Sequence, residues 1–245
     1  MEIPVKTMRI TLRTMMESLF DAFFPEYSPN SYEYAVNEAL KALASLCGPE
    51  KADLFRERIP VLAELLAQDV EAIGGNDPAA SDIQEIVYCY PAVTALVHYR
   101  VAHELDALGV GVIPRMLTEY AHSATGIDIH PQAKIGHHFA IDHGTGVVIG
   151  QTAIIGNRVT LYQGVTVGAK NFKYDESGKP RNIPRHPIIE DYVTIYSNAS
   201  ILGRISIGHH SVIGGNIWVT NNIPPHSRIQ QSKAVDLSFQ GGLGI

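Results

Sequence analysis

Cysteine is scarce. The 245 residues hold two, Cys47 and Cys89, with no metal or redox spacing, which excludes a disulfide framework. Both sit in apolar, helical-looking stretches and are expected as buried free thiols in a reducing cytosol. Basic residues are also few: 19 Lys and Arg stand against 25 Asp and Glu, for a net charge of −6. A nucleic-acid binder would carry a basic footprint, so an anionic ligand must be met by a local cluster of positive charge. No run approaches the roughly 18 uninterrupted apolar residues of a membrane span. The opening MEIPVKTMRI has no apolar core of a secretion signal. A cytoplasmic protein is expected.

What is present changes character halfway. Met8, Leu12, Met15, Leu19 and Phe23 recur at spacings of three and four, predicting an amphipathic helix over 7–24 ended by Pro25 and Pro29. Ala35, Ala39, Leu43 and Leu46 predict a second over 31–47, closed by Gly48-Pro49. One or two more cover 50–73, and Gly74 to Pro78 reads as a break. Helices over 79–90 and 92–108 follow, the latter closed by Gly109. A short helix is expected after Pro114.

From Asp128 the period becomes six. Aliphatic residues stand at Ile129, Ile135, Ile141, Val147, Ala153, Val159 and Val165, then at Ile189, Ile195, Ile201, Ile207, Ile213 and Val219. Six is a multiple of the strand period and not of the helical one, so each hexad reads as a short strand plus a corner. β-branched residues suit that pleat. Such rungs bury their apolar face only by stacking, as in a parallel β-helix. Two antiparallel sheets are the ordinary alternative, and thirteen in-phase positions count against it. The beat lapses over 168–187, a Gly-, Pro- and Asn-rich stretch holding Lys170, Lys173, Lys179, Arg181 and Arg185, which reads as an extruded loop. After Val219 the beat stops, and Pro224-Pro225 cannot continue regular pairing. The fold class is therefore α+β: an N-terminal all-α domain over 1–122, a β-helix domain over 123–225 with 168–187 extruded, and a tail over 226–245.

The segments D-I-H-P-Q-A-K-I-G from Asp128, I-D-H-G-T-G-V-V-I-G from Ile141 and R-H-P-I-I-E-D from Arg185 resemble the serine O-acetyltransferases, hexapeptide acyltransferases on a left-handed β-helix. The likeness runs from about residue 76 to 225 and touches the last residue. The left-handed sense is carried by the resemblance, because parallel crossovers are otherwise right-handed. The resemblance implies transfer of acetyl from acetyl-coenzyme A to L-serine for cysteine biosynthesis. It implies a trimer or dimer of trimers with sites between neighbouring subunits, and no metal is expected. It further implies that the terminal Ile245 docks into O-acetylserine sulfhydrylase.

Such a transfer needs a base for the hydroxyl proton, and imidazole serves near neutral pH. Among eleven histidines, the resemblance makes His143 that base, with Asp128 the carboxylate that orients it. Three hexads to a coil would leave Asp128 displaced by three residues, about 10 Å, along the strand from His143; a direct bond needs an irregular first coil. Asp142 should point to the face opposite His143 in a regular strand. The resemblance gives it, with Asp77, the ammonium group of serine. By itself Asp77, before Pro78, reads as a turn or helix cap. Arg185 and His186 are implied to grip the serine carboxylate. Gly168, Ala169, Ser197 and Gly215 are implied to line coenzyme A, with the cationic loop near its phosphates.

Three other readings compete. Another hydroxylated acceptor, homoserine-like or a sugar, suits the same fold, although Asp77, Arg185 and His186 together favour an amino acid. A γ-class carbonic anhydrase would hold zinc through imidazoles such as His130, His137, His138 and His143. A non-enzymatic solenoid scaffold would leave Asp142-His143 and Arg185-His186 without a role.

Overall fold

The computed structural model describes residues 3–232. Its first half holds α1 (Val5–Phe23), α2 (Tyr32–Cys47), α3 (Pro49–Arg56), α4 (Ile59–Asn76), α5 (Ile83–Cys89), α6 (Pro91–Ala107) and α7 (Ile113–Thr125). Proline opens α3, α4, α6 and α7, where its missing N–H has no intrahelical partner to lose. The Ser31 hydroxyl caps α2 by accepting from Tyr34 N, and the Asp82 carboxylate caps α5 by accepting from Glu85 N. The expected break at Gly74-Gly75 is helical instead, for α4 continues to Asn76. A Cβ on Gly74 would stand 2.9 Å from the Ile86 side chain, so the glycine serves close helix packing rather than a turn. The thiols also differ from expectation: Cys47 is half-buried and Cys89 exposed, both unpaired. No helix of the described residues is long and apolar enough to cross a membrane.

The second half is a left-handed parallel β-helix of about five turns. Its strands are β1 (Asp128–Ile129), β2 (Lys134–Ile135), β3 (Ala140–Asp142), β4 (Val148–Ile149), β5 (Ile154–Ile155), β6 (Thr160–Tyr162), β7 (Thr166–Gly168), β8 (Ile188–Ile189), β9 (Thr194–Ile195), β10 (Ser200–Leu202), β11 (Ser206–Ile207), β12 (Val212–Ile213), β13 (Trp218–Val219) and β14 (Arg228–Ile229). They form three sheets in the orders β1-β4-β7-β10-β13, β2-β5-β8-β11 and β3-β6-β9-β12-β14. The result is a three-sided prism whose interior is filled by columns such as Ile141, Leu161, Ile195 and Ile213. His138, Arg158, Tyr192, His210 and His226 turn the edge between the second and third sheets, each with φ between 53° and 59°.

The register corrects the six-residue beat. Regular turns repeat every 18 residues, as Val148 pairs with Thr166, but the first repeats at 20, as Asp128 pairs with Val148, and the last at 16, as Val212 pairs with Arg228. Two extra residues therefore sit between Asp142 and Val148. The loop adds sixteen more, since Ile154 pairs with Ile188. The two insertions sum to three hexads, so the count returned to phase while the row did not: Ile141 stacks on Leu161 and not on Val159. Val159 is nevertheless fully buried, because each rung points two residues inward. The coil also runs one rung past Val219, where β14 pairs with β12. Pro224 and Pro225 lie at the corner before it, where no ladder donor is needed.

One buried ion pair joins the two halves. Asp69 on α4 accepts from Arg100 Nε and Nη2 on α6, both at 3.0 Å. Asp69 Oδ1 also accepts from Phe139 N at 2.9 Å. Arg100 donates onward to the carbonyls of Ile135 and Gly136 at 2.8 and 2.6 Å. Every polar atom of the pair thus faces either its partner or the backbone of the first turn, which is what makes burial of two charges tolerable.

Candidate active site

That clamp sets where the end of α4 falls. Eight residues of helix from Asp69 rise about 12 Å. Four residues of strand from Phe139 to His143 advance about 13 Å. Asp77, just past α4, is thereby carried alongside Asp142 and His143. Asn76 fixes the arrival by donating to Thr160 Oγ1 on β6 at 3.2 Å. The Asp77 carboxylate accepts from Tyr90 Oη at 2.5 Å and Ala79 N at 2.8 Å. The Tyr90 hydrogen bond, with the Ala79 N–H and the nearby His143 charge, holds the Asp77 carboxyl below its ordinary range. The same bond pushes Tyr90 up to about 12. Asp77 therefore stays an anion beside His143.

His143 follows β3 at the edge between the third and first sheets, with φ +57° and its side chain 72% exposed. Its Nε2 lies 3.7 Å from Asp142 Oδ1. The expectation that these neighbours point to opposite faces differs because the strand ends at Asp142 and the left-handed residue breaks the alternation. Asp128 lies on the first-sheet side of this edge, and it pairs with Arg115 Nη1 at 4.0 Å. Thus the carboxylate nearest His143 among the described residues of one chain is Asp142. The Tyr162 and Tyr196 rings stack here, 4.8 Å apart, extending an aromatic wall down the edge from Asp142.

Arg185 and His186 occupy the other edge of the first sheet, where the loop re-enters the coil before β8. Thr152 organises them: its hydroxyl accepts from Arg185 N at 2.9 Å and His186 N at 3.1 Å. Thr152 N donates to His186 Nδ1 at 3.1 Å, so that nitrogen carries no proton and the neutral ring bears it on Nε2. Burial, with Arg185 and His130 alongside, pushes His186 down to about 4. The ring packs so closely on Gly150 that a Cβ there would stand 2.1 Å from it. Arg185 Nη2 donates to Gln151 Oε1 at 2.9 Å, and its guanidinium lies 6.0 Å from the Phe172 ring.

The residues expected for coenzyme A divide in the same way. Gly168 ends β7 and Ala169 follows it, at the Arg185 edge. Ser197 and Gly215 stack on successive turns at the His143 edge, where a Cβ on Gly215 would stand 3.0 Å from Ser197 O. The four histidines of the zinc alternative scatter over all three edges: His143 on one, His130 near Arg185 and His186 on another, and His137-His138 on the third. They do not converge within a chain. Sequence reasoning missed Tyr90, Tyr162, Tyr196, Thr152 and Phe172. Only Tyr162 and Tyr196 left a trace, being 34 residues apart, the same spacing as Leu161 and Ile195. Ile245, Leu243 and Gly244 lie outside the described residues.

No family model matches the chain. It is 48% identical over 209 residues to a plasmid-encoded serine acetyltransferase of Synechococcus elongatus, covering 85% of this chain and 66% of that relative. The chain thus spans just under two thirds of that protein's length. It is 41% identical to a serine acetyltransferase of Helicobacter pylori over 69% of this chain and 94% of the relative. Among solved structures, serine acetyltransferase isoform 3 of Entamoeba histolytica in complex with cysteine superposes with a TM-score of 0.78 at 33% identity, over 93% of this chain and 84% of that one. With a relative matched over 94% of its length at 41% identity and a shared fold, the chain belongs to the serine acetyltransferase family.

Proposed function

We propose that the protein transfers acetyl from acetyl-coenzyme A to the hydroxyl of L-serine, as a trimer or dimer of trimers with each site shared by two chains. The observation that carries this reading is the division of residues over two edges of one face. His143, Asp142 and Asp77 line one edge; Arg185 and His186 line the other. Between the edges lies one side of the prism, of which Val148 and Ile149 are strand and Gly144 and Gly146 turn with φ +88° and +81°; a side of about five extended residues is on the order of 15 Å, more than a serine molecule spans. Three-fold packing brings unlike edges of neighbours together and surrounds one small zwitterion with a base, an ammonium pocket and a carboxylate clamp.

In this reading Asp77 and Asp142 hold the ammonium. Arg185 and the Nε2–H of neutral His186 hold the carboxylate. His143 removes the hydroxyl proton as the oxygen attacks the thioester carbonyl, and Asp128 orients the imidazole and stabilises its cation. Acetyl-coenzyme A supplies the activated acetyl group. When the C–S bond breaks, the proton held by His143 passes to the leaving thiolate. Gly168, Ala169, Ser197 and Gly215 offer small side chains and backbone to a slender pantetheine arm. Lys170, Lys173, Lys179 and Arg181 place positive charge where phosphates would lie. The product feeds cysteine synthesis in the cytoplasm, with Ile245 the contact for O-acetylserine sulfhydrylase.

Thiol release from acetyl-coenzyme A, assayed across serine, homoserine and sugars, tests the reading. Serine is expected to be preferred, and His143→Ala to lower turnover by roughly 100-fold or more with the assembly intact by gel filtration. Near-normal turnover of that variant refutes the assignment.

A further inference from the structure

The third edge of the prism, between the second and third sheets, carries none of the residues assigned to acetyl transfer. On its last turns His209, His210 and His226 come together, with one ligand nitrogen from each within 4.8 Å of the others. We propose that these three imidazoles form a binding site for a borderline divalent transition ion, zinc above all, which clips the final turn of the solenoid to the turn beneath it.

Convergence is built into the backbone. His209 and His210 lie between β11 and β12, and His226 lies one turn on, before β14. His210 and His226 hold equivalent left-handed corner conformations, φ +56° and +58°. The turns are tied by His226 N donating to His209 O at 2.9 Å. His209 Nδ1 and His210 Nδ1 are 3.0 Å apart, close to the about 3.3 Å between nitrogens of a tetrahedral zinc with bonds near 2.05 Å. A His226 nitrogen lies within 4.8 Å of a nitrogen of each. That His209–His210 contact is the only ring hydrogen bond the three make among the described residues, so binding a metal would break no other. Glu190 Oε2 accepts from His209 N at 2.8 Å and so holds the backbone of this corner.

The same edge contains its own counter-example. His137 and His138 in the first turn form a similar pair, Nδ1 to Nδ1 at 2.7 Å. One turn on, the corner position is Arg158, whose Nη2 lies 3.3 Å from His138 Nε2. A cation already fills the place a metal would take. At the end of the coil that place belongs to a third imidazole. The last turn is also the one with no further described rung stacked on it, and terminal repeats of a solenoid need such protection. Three imidazoles without thiolate suit zinc, nickel or copper rather than magnesium or calcium.

The experiment uses the full-length chain without an affinity tag. Zinc is titrated calorimetrically, cobalt serves as an absorbing stand-in, and melting is followed with and without zinc. We expect one ion per chain and a melting point raised by roughly 5 °C at saturating zinc. His226→Gln and His210→Gln should each weaken binding at least ~10-fold and abolish the thermal shift. His137→Gln and His122→Gln should leave both unchanged, the second excluding the Glu119–His122–Asp128 group. Circular dichroism of each metal-free variant confirms folding. Failure to saturate, or equal binding by His226→Gln, overturns the proposal and leaves the stacked Tyr192, His210 and His226 rings as an aromatic ladder only. Turnover is not the readout, so the outcome is independent of the acetyl-transfer reading.

Discussion

Replacing Arg100 by Met probes the junction between helices and solenoid. Arg100 and Asp69 are 5% and 1% exposed, and Met fills much of the same space, so lost packing is small. What remains is a buried carboxylate supported by Phe139 N–H, with the carbonyls of Ile135 and Gly136 deprived of their donor. Breaking a buried pair in this way costs about 3–5 kcal/mol, or a fall in melting point of roughly 6–20 °C for a chain of this size. The loss should depend on pH. Burial pushes Asp69 up to about 6 even with Arg100 pulling it down. A folded pKa above the unfolded one means the native state binds the proton more tightly. The resulting stability is complete below the unfolded value, about 4, and is lost as pH rises through about 6. Removing Arg100 raises Asp69 further, so the variant should lag the parent most at pH 7.5 and least at pH 5. Melts at both pH values, with KM for serine measured alongside, provide the check. A loss below about 1 kcal/mol, or one equal at both pH values, refutes this account of the clamp.

Gly150→Ala would drive a methyl into the His186 ring; displacing that ring should raise KM for serine about tenfold while changing kcat little, as steady-state kinetics will reveal. The lowered His186 pKa, about 4, means the unfolded chain binds that proton more readily. Stability should therefore fall as pH drops from about 6.5 towards 4, and His186→Asn should flatten that part of an acid-melting curve. Free cysteine shares the ammonium and carboxylate of serine, so it should raise the apparent KM for serine without lowering the limiting rate; inhibition indifferent to serine concentration would count against a shared pocket.

Much of this was legible in the residues. The change from helical spacing to hexads located the two halves, and the aliphatic columns fill the prism. The count could not reveal that two insertions cancel, because a period registers only their sum. Likewise Asp77 read as a turn residue: its approach to His143 depends on Asp69 and Arg100, which look in sequence like isolated charges on helices. Tyr90 reaches Asp77 across thirteen residues, and Thr152 reaches His186 across thirty-four. Neither distance follows any local period. His143 and Arg185 were identifiable as types, yet their placement at opposite rims of one sheet required the register.

Splitting the working groups between two rims has a genetic consequence. Under the proposed assembly a His143→Ala chain still offers a sound Arg185 rim, and an Arg185→Ala chain a sound His143 rim. Each is inert alone. Unfolded together and allowed to reassemble in equal amounts, about a quarter of their junctions should pair two intact rims, and two dead proteins should yield a partly living one.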